Sequence, residues 1–318
     1  MSYYVGIDLG GMSAKCALLR DGKLCGISRC KTDKSFTPEK AAKELSALAI
    51  EAVNKSGVTL KDVSAIGIGS PGIIDGEKGV VISWTNYGWE NVSLSELIES
   101  QLNKPVFLTN DANAAALGEY EYGAGKNYNS TVMLTIGTGI GSGIIFDGKI
   151  FEGNQGAGGE LGHEVIKFGG EKCSCGRRGC FERYASVSAL IRQTQRTMIV
   201  HPESELWRIC NGNTENVNGK TAFDGMRLGD KTAKKLLSRY YQYLAAGITN
   251  VVNAFCPEAI ILGGGISAER ETITKPLQVL VNREKMGGNK TTPVQIVTAT
   301  LGNDAGIYGA AEYARRKV

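Results

Sequence analysis

Short apolar runs that end in glycine recur along the chain. They are YYVGIDLGG (3–11), VSAIGIGSPG (63–72), PVFLTNDAN (105–113), VMLTIGTGIGSG (132–143), AIILGGGIS (259–267) and VQIVTATLGNDAG (294–306). Such runs predict buried strands that enter tight turns. Between them, apolar positions recur at helical spacing. In residues 37–57, Thr37 is placed as an N-cap and Pro38 in the first turn. Leu45, Leu48, Ala49, Ala52 and Val53 form one face, and Gly57 ends the helix. A longer helix carries Leu237, Tyr241, Leu244, Ile248, Val251 and Phe255 in register and stops at Pro257. Residues 209–220, ICNGNTENVNGK, are polar and read as an exposed loop. Strands alternating with helices predict an α/β fold with largely parallel or mixed sheets. The strand-then-glycine pattern occupies both halves, and 318 residues exceed what one core usually serves. Two lobes with a ligand cleft between them are therefore expected.

Composition narrows the function. A hydrophobic content of 42% with 21% charged residues is that of a soluble globular protein. The net charge of +4 is too small to suggest a nucleic acid or an anionic membrane as partner. The N-terminus shows no basic, apolar leader, and no run reaches the about 18 apolar residues of a membrane span. A cytoplasmic protein is expected, with its eight cysteines reduced rather than disulfide-bonded.

Three glycine-rich turns follow strands. In GIDLGGMSAK (6–15) the amides of Gly10 and Gly11 are candidates to cradle a phosphate, and Asp8 to hold Mg²⁺ through water. An ordinary hairpin turn fits that stretch equally well. Gly137, Thr138 and Gly139 repeat the arrangement in LTIGTGIGSG. LGGGIS (262–267) would let a flat base lie against bare backbone. None of these is a P-loop or a convincing dinucleotide fingerprint. In LTNDANAAALGE (108–119), Asp111 suits either a helix N-cap or a general base, and Asn110 beside it suits a polyol.

The segment GAGGELGHEVIKFGGEKCSCGRRGCFERYAS (156–186) holds three cysteines within eight residues. Zinc requires four ligands, and only two histidines exist. His163 lies ten residues before Cys173, His201 21 residues after Cys180, so His163, Cys173, Cys175 and Cys180 form the expected site. Such a zinc is expected to be structural. It would orient the His163 ring and hold Glu160 and Glu182 for sugar hydroxyls, unless these two are merely solvated surface charges.

These motifs, from DLGGMSAK through GSPGIID, TNDANAAALGE, IGTGIGSGI, GGELGH and CSCGRRGCFE to LGGGIS and LGNDAG, resemble the ROK family (repressors, open reading frames and sugar kinases) of the actin-like ATPase superfamily. The resemblance runs nearly end to end. It implies a two-lobed ribonuclease H-like fold with a small zinc loop, residues 1–109 plus the C-terminal helix (about 305–318) forming one lobe and 110–304 the other. It implies an ATP-dependent hexose kinase, closest in pattern to glucokinases, using ATP, Mg²⁺ and Zn²⁺ and forming a homodimer or homotetramer. Asp111 would be the base at the sugar's 6-hydroxyl. Asn110, Glu160, His163 and Glu182 would bind other hydroxyls, with backbone near Gly72 closing one side. Asp8 would support Mg²⁺. Gly10, Gly11, Lys15, Gly137, Thr138 and Gly139 would surround the phosphates, and Gly264 and Gly265 the adenosine. His163, Cys173, Cys175 and Cys180 match the family's zinc ligands. Residues 85–94 are taken as a pocket edge at which Asn86 or Trp89 shapes sugar choice.

Two readings compete. Glucose leads as substrate, with N-acetylmannosamine, fructose, allose and β-glucosides as alternatives. A sugar sensor without a DNA-binding domain is the other class, kept open by Met12, which stands where the family's first phosphate turn has threonine. DNA-binding family members carry an N-terminal helix-turn-helix, for which a first strand at residue 3 leaves no room.

Overall fold

The computed structural model describes residues 2–318. The chain forms two compact units. One runs through Met133 and adds Gly143–Gly159 and Thr300–Val318; the other comprises Leu134–Ser142 and Glu160–Ala299.

Strands β1 (Tyr3–Leu9), β2 (Ser13–Arg20), β3 (Lys23–Lys31) and β4 (Val63–Ser70) open the chain. β5 (Ile73–Asp75), β6 (Val80–Trp84) and β7 (Trp89–Val92) form a small antiparallel sheet, followed by β8 (Val106–Asn110). The main sheet of the first unit has the order β3-β2-β1-β4-β8. β1 pairs antiparallel with β2 and parallel with β4, and β4 pairs parallel with β8. The registers Asp8 with Gly69 and Ser70 with Asn110 bring three strand ends to one edge.

The helix Pro38–Lys55 starts where Thr37 accepts the amide of Lys40, and it buries the expected Leu45, Leu48, Ala49, Ala52 and Val53. These side chains join Val5, Ile7, Ile66 and Ile68 in one core. The β2–β3 hairpin was not among the expected strands. Its signal is Asp21-Gly22, where both residues have positive φ (48° and 74°), the backbone of a two-residue hairpin turn.

β9 (Ser130–Ile136), β10 (Ile140–Phe146), β11 (Lys149–Ile150), β12 (Ala259–Gly263) and β13 (Gln295–Thr298) form the second large sheet, ordered β11-β10-β9-β12-β13. The run 132–143 is thus two strands broken at residues 137–139. Asp147-Gly148, with φ of 48° and 74°, makes the same hairpin turn between β10 and β11 as Asp21-Gly22. The run 294–306 is strand only through Thr298; residues 305–317 are helix. The long helix spans Lys231–Phe255. It buries Leu237, Tyr241, Leu244, Ile248 and Val251, leaves Phe255 half-buried, and ends at Cys256 in the left-handed region.

Residues 209–220 are not simply an exposed loop. Cys210 and Val217 are buried against Met198, Leu206 and Ala233, so the loop closes a small satellite core. Among the described residues, no helix is long and apolar enough to cross a membrane.

Candidate functional site

In the first unit, the end of β8 passes directly into the helix Asp111–Tyr122. Its N-cap is Asn110, whose amide oxygen accepts the N–H of Ala112 (2.9 Å) and Asn113 (3.4 Å). Capping therefore falls to Asn110, and Asp111 is the first helical residue, its carboxylate accepting the N–H of Ala112 at 2.9 Å. A carboxylate on the first turn is stabilised by the helix dipole. The Asn110 amide nitrogen donates to the carbonyl of Gly72 at 3.0 Å. Gly72 has φ 98°, and any side chain there would strike the carbonyl of Ser83. Only glycine suits that left-handed, crowded position.

Asp8, near the end of β1, is enclosed by the helix Ala305–Lys317: a Cβ on Gly306 would lie 2.8 Å from its carboxyl carbon. Burial, and then the charge of Asp111, push the Asp8 carboxyl up to about 6, against the partial relief offered by Lys15. Lys15 faces Asp8 across the β1–β2 pair and is ion-paired with Asp304. Burial and the Arg29 charge lower its pKa. Lys15 relieves the Asp8–Asp111 pair only in part, and a divalent ion on the phosphates of a bound nucleotide is a species that would relieve it further.

The turn Gly10–Met12 does join an antiparallel hairpin, and it is braced at several points. The Gly10 amide donates to Ser13 O (2.9 Å), the Thr32 hydroxyl to Gly10 O (2.8 Å), and the Tyr87 hydroxyl to Gly11 O (3.2 Å). Tyr87 stacks on Trp84 with centroids 3.8 Å apart and meets Trp89 edge-on at 5.2–5.4 Å from the pair. Sequence reasoning missed Tyr87; the aromatic spacing in WTNYGW was its only signal. Trp89 is buried in this cluster and its indole donates to Phe36 O, whereas Asn86 lies exposed in the adjoining turn. Met12 is 83% exposed.

In the second unit, the turn at Gly137–Gly139 is closed by the Gly137 amide on Gly139 O (3.0 Å), and the Val187 amide donates to Gly137 O (2.9 Å). Gly264 has φ 77° and lies against the backbone of Ile136, so a Cβ would collide there. Gly265 faces open space. Thr138 sits between the two glycines of the turn, exposed. Glu182 lies beneath this turn. It accepts the Ile140 amide (3.4 Å) and the thiol of Cys173 (3.4 Å), so it is not a free surface charge. Glu160 is exposed and immediately precedes the single helical turn Leu161–His163.

The four expected metal ligands converge. One donor atom from each of His163, Cys173, Cys175 and Cys180 lies within 4.8 Å of every other. Cys175 and Cys180 sulfurs are 3.6 Å apart, and Cys173 sulfur is 3.6 Å from His163 Nδ1. A disulfide would need about 2.05 Å. A tetrahedral ion with metal–sulfur bonds of about 2.3 Å spaces its sulfurs by about 3.8 Å. The cluster has the donor set and the spacing for an ion. The Arg177 amide holds the Cys175 thiol below its ordinary range, while burial pushes Cys180 up to about 12, a thiol that needs a cation to ionise. The His163 carbonyl accepts from Arg177 (3.2 Å), which ties the histidine to the cysteine loop.

Known proteins match this chain end to end. The ROK family model matches residues 4–317. A glucokinase of Thermotoga maritima is 35% identical over 316 residues, covering 99% of this chain and 98% of that protein. A glucokinase of Streptomyces coelicolor is 33% identical over 318 residues, with 99% and 98% covered. Among solved structures, a ROK family glucokinase from Streptomyces griseus in complex with glucose and AMPPNP superposes with a TM-score of 0.82, at 33% identity and 99% coverage of both chains. The end-to-end match in sequence and fold has one consequence: the chain belongs to the ROK family.

Proposed function

We propose that this protein is an ATP-dependent sugar kinase that transfers the γ-phosphoryl group of ATP to a hexose hydroxyl, with glucose to glucose 6-phosphate as the leading reaction. The observation that carries the reading is the pair of carboxylates at the strand ends, Asp8 and Asp111, with Asp111 at a helix N-terminus. In this reading Asp111 accepts the proton of the attacking hydroxyl. Asn110, Glu160, His163 and Glu182 orient the remaining hydroxyls, with the Gly72 backbone and Asn86 at the rim. Gly10, Gly11, Lys15, Gly137, Thr138 and Gly139 surround the phosphates, and Gly264 and Gly265 leave bare backbone for the adenosine. Phosphoryl transfer asks chiefly for positioning and charge neutralisation. Mg²⁺, when bound with ATP, would supply positive charge at the phosphates. The Gly10 amide is committed to Ser13 O, so the braced turn would offer the phosphates the amides of Gly11 and Met12, and Asp8 would support the cation.

Zinc is the ion proposed for His163, Cys173, Cys175 and Cys180, with a structural role. Glu182 lies two residues after Cys180 and beside Cys173, so loss of the ion would loosen the loop that positions this sugar-binding carboxylate. Cys175→Ser is expected to lose zinc and weaken sugar binding together; a zinc-free variant with unchanged sugar affinity would break that link.

The deciding experiment is ADP release with Mg-ATP against hexoses, N-acetylhexosamines and β-glucosides. One sugar standing well above the rest supports the kinase and names its substrate. Sugar binding without ADP release from any of them would overturn the kinase reading in favour of a sensor.

A further inference from the structure

The second unit contains a cavity of about 860 Å³ that the kinase reading does not use. One wall is the long helix, which presents Lys231, Lys235 and Arg239. The other walls add Arg196, from the helix Val187–Val200, and Lys167, from the loop that carries the cysteines. Five cations thus line the space against one carboxylate, Glu171. That carboxylate is already shared among Arg183 (3.5 Å), Arg192 (3.9 Å) and Arg196 (3.1 Å). Among the described residues, no ion pair reaches Lys167, Lys231, Lys235 or Arg239.

The spacing of the helix cations is itself informative. Lys231, Lys235 and Arg239 fall four residues apart, so they stack along one stripe, where like charges repel. Nothing of opposite sign on the stripe offsets that cost. The floor between the cations is aromatic. Tyr184 and Tyr243 have ring centroids 5.0 Å apart, with Lys167 over the first ring (5.8 Å) and Arg239 over the second (5.7 Å). Val200 and Leu236 add apolar surface. A ring-bearing molecule with one or more phosphoryl groups matches this combination: its ring on the tyrosines, its charge between the helix stripe and Lys167.

We propose that this cavity is a binding site for a small phosphorylated molecule, separate from the nucleotide turns. Its position gives it a route to the metal loop. Lys167 O accepts the Gly170 amide, the Ile166 amide donates to Gly179 O, and the Gly179 amide donates to Glu171 O. The cavity wall and the Cys173–Cys180 loop are therefore one hydrogen-bonded piece, and a ligand bound there would stiffen the loop.

The test uses the full-length, metal-loaded protein saturated with a non-hydrolysable ATP analogue, so that the phosphate turns are filled. A hexose monophosphate, ADP and inorganic pyrophosphate are then titrated by calorimetry. The site is expected to bind a ring-bearing phosphate, and Lys235→Glu is expected to weaken binding at least tenfold with zinc content unchanged. The milder Lys235→Gln, expected to weaken binding several-fold, keeps the test valid should the charge reversal fail to fold. Whichever of the hexose phosphate and ADP binds more tightly identifies the source of the phosphoryl group. Absence of binding under saturation, or equal affinity in the wild type and both variants, overturns the proposal. So does a change of oligomeric state in Lys235→Glu without anion binding, which would make the cavity an interface between copies. Pyrophosphate binding as tightly as both ring-bearing probes would remove the aromatic half of the argument.

Discussion

Two carboxylates in the first unit are withdrawn from water and treated in opposite ways. Glu312, on the C-terminal helix, is completely buried. Burial pushes its pKa up, but Arg315 (2.7 Å from Nε and from NH2), Arg316 (2.7 Å) and Tyr122 (2.7 Å) outweigh that and hold it below the ordinary range. Asp8 is also largely enclosed, yet its pKa rises to about 6: burial raises it most, the Asp111 carboxylate adds to that, and Lys15 offsets them only in part. Structural carboxylates are satisfied within the fold. A carboxylate left short of positive charge marks a place where a cation or a proton is expected to arrive with the ligand.

The largest expected effect comes from Asp111, the member of the Asp8–Asp111 pair proposed as the base. Asp111→Asn is expected to lower kcat by about 10²–10⁴-fold, the usual contribution of a general base, while sugar affinity changes little. Removing its charge should also bring the Asp8 pKa down, since Asp111 is the second cause of its rise. Steady-state kinetics with a parallel sugar-binding titration checks both; turnover within a few-fold of wild type would remove Asp111 from the role.

Glu312→Gln attacks the opposite case. It removes the negative charge and replaces one of the two acceptor oxygens shared by two guanidiniums and a phenol with an amide donor, for an expected loss of about 3 kcal/mol in denaturant unfolding at neutral pH. The pH dependence has a definite sign. A carboxyl depressed by folding adds stability above its unfolded pKa of about 4.3 and loses it as pH falls through the lower folded value. The wild type should therefore converge on the variant in acid. A constant difference between them at all pH values would refute the account.

Asp8→Asn should act with the reverse sign. A carboxyl raised by folding contributes fully below its unfolded value, near 3.8, and loses that contribution as pH rises through about 6. The metal- and nucleotide-free Asn variant is thus expected to be more stable than wild type at pH 8, by up to about 3 kcal/mol at about 1.4 kcal/mol per pH unit, and no more stable at pH 4. Thermal unfolding at the two pH values decides, and a variant less stable than wild type at pH 8 would mean Asp8 is satisfied after all.

The smallest effect tests the brace. Tyr87→Phe keeps the stack on Trp84 and removes one hydroxyl from Gly11 O, about 1 kcal/mol. A roughly fivefold rise in KM for ATP with KM for sugar unchanged is expected; a change confined to sugar would place Tyr87 elsewhere in the mechanism.

Much of this was legible in the chain. Thr37, Pro38 and the spaced Leu45, Leu48, Ala49, Ala52 and Val53 determined a helix and its buried face, because capping and periodicity act over a few residues. The tight spacing of Cys173, Cys175 and Cys180, with so few histidines, pointed to the four residues that converge with the donor set for a metal ion. The position of Asp111 beside a strand end was also visible, though its alternative role as cap was settled only by the fold, which gave capping to Asn110. What the tertiary structure alone decided depends on residues far apart in sequence. The rise of the Asp8 pKa depends on burial and on Asp111; the bracing of Gly11 requires Tyr87; the satisfaction of Glu312 requires Tyr122, 190 residues away. The cationic cavity needs one loop and two helices to bring Lys167, Arg196 and Lys235 together. Local patterns specify backbone and burial because their energies act between near neighbours, whereas the state of a charge depends on everything that folding places around it.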